Sequence, residues 1–501
     1  MPSSCLIESL RQGAQTRPSA PALSCSQNAL DYATLLARVR SAATWFQAGH
    51  TAPGDRVAVW GPKSCDQVVV LLGILAAGRV AVPINPLLRP AQVGHILRDS
   101  SARCLITDIQ RAGRLGDHLP EGMPVHPPDA IGADAGPLPS LPPETLAALF
   151  YTSGSTGQPK GVMITHANLA AGAASVVDYL GLRADDRLLA VLPLSFDYGF
   201  SQLTTALHAG ASVHLLDYLL PGDLKRAIAE RAITVLAGVP GLLIPLARQR
   251  WLTDADSLRL ITNSGGALPV DSVRAIRKAL PQTALVLMYG LTEAFRSTWL
   301  PPEEVDEHPD SIGRPIPGAT VRVLRPDGSP CAPGESGELV HGGALVAAGY
   351  WNAPEATAAR FRPPPPDWPE PDQSRVVYSG DQVRSDTEGR LYFQGRFDAQ
   401  IKTAGYRVSP EEIEAAASIF PAVREALARG EADPQLGQRI ILAVAPETID
   451  SQALMHHLGE TLPRYMLPTR IERHGALPRS PNGKLDRRAL MLPETDTECC
   501  P

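Results

Sequence analysis

Residues 151–161, Tyr-Thr-Ser-Gly-Ser-Thr-Gly-Gln-Pro-Lys-Gly, bring together three kinds of group that suit an anion. The glycines, Gly154, Gly157 and Gly161, permit positive φ and a close approach of backbone to ligand. Consecutive N–H groups, with the hydroxyls of Ser153, Ser155 and Thr156, can form a nest for phosphate oxygens. Lys160 adds a positive charge. The loop is not of the Walker type, because the spacing from Gly154 to Lys160 is wrong and Gly161 follows the lysine. An ordinary hairpin turn uses the same residue types.

Further segments carry reactive or ligating groups. Met-Tyr-Gly-Leu-Thr-Glu at 288–293 ends in a hydroxyl and a carboxylate, although a Thr-Glu pair after glycine is also a common helix start. Tyr-Ser-Gly-Asp at 378–381 ends in Asp381, whose carboxylate can accept two hydroxyl hydrogen bonds. A plain turn aspartate is the alternative. In Pro-Arg-Ser-Pro-Asn-Gly-Lys-Leu-Asp at 478–486, Lys484 can offset the repulsion between a carboxylate and a phosphate. On its own it reads as an exposed charge.

The elements that must position these groups alternate between strand and helix. Residues 56–60 (Arg-Val-Ala-Val-Trp) read as a buried strand, 65–77 as a helix and 78–83 as the next strand. The rhythm returns at 187–192, 212–216 and 234–237, which favours layered α/β architecture. Proline-rich stretches at 119–143 and 362–371 mark surface connections, and Pro363 to Pro366 cannot lie inside a helix or central strand. The last hundred residues differ: strands at 390–394 and 439–444, and a helix opened by Ser409 as cap with Pro410 at its first position. The expected organisation is a large N-terminal domain, 1–396, of layered α/β subdomains, and a small, mobile C-terminal α+β domain, 397–501.

With 501 residues the chain exceeds one ordinary core. Hydrophobic content of 44% and charged content of 20% fit a globular protein. A formal net charge of −6 without a basic block argues against nucleic-acid binding. Seven cysteines lack Cys-x-x-Cys spacing, so neither a zinc site nor a disulfide framework is indicated. The run 68–77 is too short to span a bilayer, and no signal peptide is visible, so the expected location is the cytoplasm, away from membranes.

Taken in order, these strings resemble the adenylate-forming ligase superfamily: acyl-CoA synthetases, adenylation domains of nonribosomal peptide synthesis in secondary metabolism, and luciferases. The resemblance runs from Leu30 to Leu485. It implies that residues Thr152 to Gly157 and Lys160 hold ATP phosphates, that Thr292 contacts phosphate and that Glu293 holds Mg²⁺. Tyr289 and Gly290 would lie by adenine with Gly265, Gly266 and Ala267 of Asn-Ser-Gly-Gly-Ala-Leu-Pro at 263–269. Asp381 and Arg396 would bind ribose. Asp398 matches the hinge about which the small domain turns, the segment 401–407 the passage for an incoming thiol, and Lys484 the catalytic lysine.

The acid pocket implied by the same resemblance is formed by Phe196, Asp197, Tyr198, Ala237, Ile261, Asn263, Met288 and Arg296. Amino-acid-activating members carry Phe-Asp where this chain has Phe196 and Asp197, the aspartate pairing with the α-ammonium; helix capping by Asp197 is the competing role. Arg296 has three open readings: pairing with Asp197, recognising a second acidic group, or pointing away. The small, partly apolar cavity suits proline or another small amino acid. The expected reaction is ATP-dependent formation of an acyl-adenylate, then transfer to a phosphopantetheine thiol. The thiol belongs to a separate acyl or peptidyl carrier protein or, alternatively, to CoA. A binding protein that keeps only ATP affinity is the reading from another class, disfavoured because Lys160, Glu293, Asp381 and Lys484 are all present.

Overall fold

The computed structural model describes residues 6–26, 28–152, 159–218, 220–247, 255–370, 373–397 and 400–478, with 485, 487 and 490. They fall into two compact units, one running to Phe397 and the other beginning beyond it.

The first unit contains three sheets. A six-stranded sheet has the order Val125–His126, Cys104–Ile106, Arg56–Trp60, Val80–Ile84, Leu146–Thr152, Lys160–Thr165. Its strands are parallel except for the last pair, which is an antiparallel hairpin with Thr152 opposite Lys160. Arg56–Trp60 is a strand because Val57, Ala58 and Val59 meet protein on both faces, as a central parallel strand requires. Helix Cys65–Ala76 begins where the Ser64 hydroxyl accepts the Gln67 N–H at 3.1 Å. This helix is buried nearly all round.

A nine-stranded sheet holds six parallel strands in the order Ala284–Tyr289, Leu260–Asn263, Val235–Gly238, Arg187–Ala190, Ser212–Leu215, Pro21–Ser24. The chain leaves Arg187–Ala190 through helix Asp197–Ala209 and returns on one side of it as Ser212–Leu215. It then crosses by helix Pro221–Arg231 to the other side as Val235–Gly238. The strand order therefore reverses at Arg187–Ala190. The crevice beyond the carboxyl ends of strands at such a switch point is where open α/β sheets bind ligands.

The third sheet is antiparallel, in the order Ala319–Leu324, Ser336–Gly343, Val376–Ser385, Phe361–Arg362, with Leu391–Arg396 also paired to Val376–Ser385.

The second unit has a five-stranded sheet in which Glu425–Asp433 and Gly437–Ala445 form a long hairpin. Ile413, Leu442, Val444, Leu454 and Leu458 make up the centre of its own core. Ser409 and Pro410 take the cap and first helical positions of Pro410–Ser418, as expected from the sequence. The hydroxyl, however, donates to Glu411 at 2.6 Å instead of accepting a backbone N–H. Among the described residues no helix is long and apolar enough to cross a membrane.

Candidate active site

At the hairpin, Ser153, Gly154, Ser155, Thr156 and Gly157 lie outside the described residues, as do Asp398 and Lys484. The Lys160 ammonium stands 5.9 Å from the ring centroid of Tyr350. Burial first, and then the charge of Arg360, hold its pKa below that of an ordinary lysine. The Tyr350 hydroxyl donates to Glu293 Oε1 at 2.7 Å. Glu293 is only 2% exposed, and its backbone carbonyl accepts the Ala347 N–H at 2.9 Å. Thr292–Ala294 is a single 3₁₀ turn whose cap position, Leu291, makes no side-chain cap bond. Thr292 and Glu293 thus begin no long helix, and the short turn presents the buried carboxylate to Tyr350.

A second cluster surrounds Asp381, which is fully buried. The Tyr289 hydroxyl donates to one carboxylate oxygen and the Arg396 guanidinium to the other. The arginine is delivered by sheet register, since Asp381 and Arg396 are directly opposed across antiparallel strands. Gly380, at φ +69, turns the strand there, and its N–H donates to Glu338 Oε1 at 2.8 Å. On the neighbouring strand the His341 ring stacks on Tyr289, with centroids 6.0 Å apart. Burial pushes its pKa down to about 4, against the opposing charges of Asp381 and Glu293. His341 therefore lies within reach of both clusters. Gly265, at φ +79, and Gly266 follow strand Leu260–Asn263, and Asn263 Nδ2 donates to the Gly266 carbonyl at 3.0 Å. Ala267 beside them is exposed.

The acid-pocket candidates meet at the carboxyl ends of the parallel strands. Ala237, Ile261, Asn263 and Met288 are all buried. Helix Asp197–Ala209 begins with Asp197 itself, and its cap position is Phe196. Asp197 is therefore not the capping residue; it occupies the first turn, where the helix dipole favours a carboxylate. The Tyr198 hydroxyl meets Thr262 Oγ1 at 2.6 Å, and its ring packs edge-on to Phe196. Tyr179 donates to Met288 Sδ at 3.0 Å. Arg296 is buried, its Cζ 4.0 Å from the centre of the Tyr198 ring. Among the described residues no ion pair joins Arg296 to Asp197, so the guanidinium packs on the Tyr198 ring instead of pairing with that carboxylate.

Tyr350, His341, Tyr179 and Thr262 escaped the sequence reading. Their partners lie at least 52 positions away, or on another sheet, and no local pattern marks them.

The first unit thus combines a sheet with a switch point, the hairpin that presents Lys160, a buried Glu293 and an Asp381–Arg396 pair. The profile described as AMP-binding enzyme matches residues 10–351, and that described as AMP-binding enzyme C-terminal domain matches 412–484. The chain belongs to the AMP-binding enzyme family and is an adenylate-forming, ATP-binding ligase. It is 35% identical to L-proline--[L-prolyl-carrier protein] ligase of Streptomyces coelicolor, over 92% of each chain. It is 32% identical over 95% of its length to tyrocidine synthase 3 of Brevibacillus parabrevis, of which it spans only 7%. Among solved structures, a double mutant of o-succinylbenzoate CoA synthetase from Bacillus subtilis superposes with a TM-score of 0.86. The identity there is 27%, covering 96% of this chain and 98% of that one.

Proposed function

We propose that the protein activates a small amino acid and transfers it to a phosphopantetheine thiol. A substrate carboxylate oxygen bonds to the α-phosphorus of ATP and pyrophosphate leaves; the thiol sulfur then bonds to the acyl carbon and AMP leaves. The observation that carries the amino-acid reading is Asp197, buried in the first helical turn beyond the switch-point strand and not used as its cap. A carboxylate at that place suits an ammonium by charge and by hydrogen bonding, since each carboxylate oxygen accepts N–H donors. A fatty acid offers none.

The residues fit ATP. Asp381 receives a protein donor on each oxygen, and a carboxylate has about four acceptor sites, so ribose hydroxyls can be added. Glu293 would hold Mg²⁺ through oxygen, with Thr292 beside it and Lys160 nearby for phosphate. Mg²⁺ supplies neutralisation of phosphate charge. Lys484 would bridge the carboxylate and the α-phosphate in the first reaction, and Asp398 would act as the hinge.

The name of the Streptomyces relative favours a carrier protein as acceptor; that of the Bacillus relative favours CoA. The decisive measurement is ATP–pyrophosphate exchange across amino acids, aryl acids and short fatty acids. Exchange with fatty acids and with no amino acid would overturn the proposal. Mass spectrometry of a holo carrier protein, compared with CoA, decides the acceptor. Lys484→Ala is expected to abolish exchange; unchanged exchange would remove its assigned role.

A further inference from the structure

Arg296 poses a problem of charge. It is 3% exposed, its Nη1 has no hydrogen-bond partner, and among the described residues no carboxylate forms an ion pair with it. Its stacking on Tyr198 at 4.0 Å, with Phe295 at 5.6 Å, supplies cation–π attraction but no acceptor for the Nη1 hydrogens. Removing a guanidinium from water costs several kcal/mol, and arginine cannot lose its proton to escape that cost. The stacking leaves Nη1 buried without an acceptor.

The backbone also holds this side chain against Tyr198. Phe295, immediately before it, has φ +54, a conformation that costs about 1–3 kcal/mol for a residue with a side chain. Two glycines clear space for that turn. A Cβ on Gly290 would lie 2.5 Å from the Phe295 carbonyl oxygen, and one on Gly172 2.6 Å from its ring. Two further buried side chains hold polar atoms without partners. Asn263 Oδ1 is buried with none, as are both ends of the Gln202 amide, one helical turn beyond Tyr198 and so on the same face of its helix.

We infer that Arg296 is a specificity-determining residue that receives a second carboxylate on the acid being activated. Asp197 takes the ammonium and Arg296 the second carboxylate, so the substrate class is an acidic amino acid, such as aspartate or glutamate. The planar fork of arginine matches a carboxylate through two parallel hydrogen bonds. This inference rests on the reading of the pocket as the acid site, and it turns the choice of small amino acid away from proline.

The test uses the full-length enzyme in ATP–pyrophosphate exchange with aspartate, glutamate, asparagine, glutamine, proline, alanine and succinate. Aspartate or glutamate is expected to exceed its own amide by about 100-fold in kcat/KM, because the amide leaves the buried cation uncompensated. Arg296→Met should abolish most of that advantage while leaving KM for ATP within about twofold. Arg296→Lys should restore part of it, keeping the charge but losing the fork. Proline or alanine serving as well as the acidic amino acids would overturn the inference and leave amino-acid activation standing. Equal effects of Arg296→Met on acidic and neutral substrates would overturn it as well. No exchange with any acid would overturn the activation reading itself. Thermal melts provide a readout besides activity: the acidic amino acid should raise the melting temperature of the wild type and not that of Arg296→Met.

Discussion

Asp197 and Glu293 are both buried carboxylates, set in different surroundings. Asp197 heads a helix at the mouth of a sheet, whereas Glu293 is held by the Tyr350 hydroxyl at 2.7 Å. Asp197→Asn is expected to lower kcat/KM for the amino acid by about 100-fold with KM for ATP unchanged, since only the ammonium partner is lost. Initial-rate kinetics with each substrate varied would check this; a parallel loss in ATP affinity would contradict it. Tyr350→Phe removes the donor to Glu293 and should lower kcat about 10-fold, as expected for a hydrogen bond to a charged group. The Mg²⁺ concentration needed for half-maximal rate should rise with it. His341 titrates near 6.5 when unfolded and near 4 when folded, because burial disfavours its cation; His166 behaves likewise. Between those values the unfolded chain binds the protons, so stability is complete above pH 6.5 and lost as pH falls toward 4. The slope is up to about 1.4 kcal/mol per pH unit for each group. Thermal melts of His341→Leu should show a flatter decline between pH 6.5 and 4.5 than the wild type.

At the scale of elements, the segment from Tyr289 to Arg296 does the most positioning. It closes strand Ala284–Tyr289, makes one 3₁₀ turn for Glu293, and passes through Phe295 at positive φ to bring Arg296 under Tyr198. Gly290 is required because the 295–296 backbone lies against it. Gly290→Ala is therefore expected to destabilise by about 1–3 kcal/mol through overpacking and to impair exchange. Gly222→Ala is the contrast. That glycine opens helix Pro221–Arg231 with nothing within 4 Å of an added methyl, so the substitution should stabilise by up to about 1 kcal/mol. Chemical denaturation of both variants checks the pair. Other elements follow from their own residues. In Arg56–Trp60 the four apolar residues from Val57 to Trp60 are already enough for a buried strand. By contrast, Glu425–Asp433 (Glu-Ala-Leu-Ala-Arg-Gly-Glu-Ala-Asp) is rich in helix formers and nevertheless forms a strand, because pairing with Gly437–Ala445 outweighs weak local propensity.

At the scale of the whole molecule, two units have separate hydrophobic cores. Each is expected to unfold in its own calorimetric transition. Leu72→Ala and Leu442→Ala remove fully buried side chains from the first and second core, respectively. Each should lower one transition, by about 2–5 kcal/mol, and leave the other in place. Tyr289, Glu293, Asp381 and Lys160 all belong to the first unit, so ATP should raise that unit's transition by mass action. A single transition lowered equally by both substitutions would contradict independent cores.

The sequence by itself determined the kinds of chemistry available. A glycine-rich hairpin ending in Lys160, the Thr292–Glu293 pair and the carboxylate of Asp381 are contiguous strings, and backbone geometry within ten or so residues suffices to read them. The alternation of strand and helix was legible for the same reason, since period and burial are local properties of the chain. Only the tertiary structure decided which side chains share an environment. Tyr350 reaches Glu293 across 57 positions and Tyr198 reaches Thr262 across 64, and no periodicity encodes such pairs. The same holds for Arg296: its charge was plain from the sequence. Its burial against Tyr198, apart from Asp197, arises where a strained turn meets the end of a sheet built from distant segments.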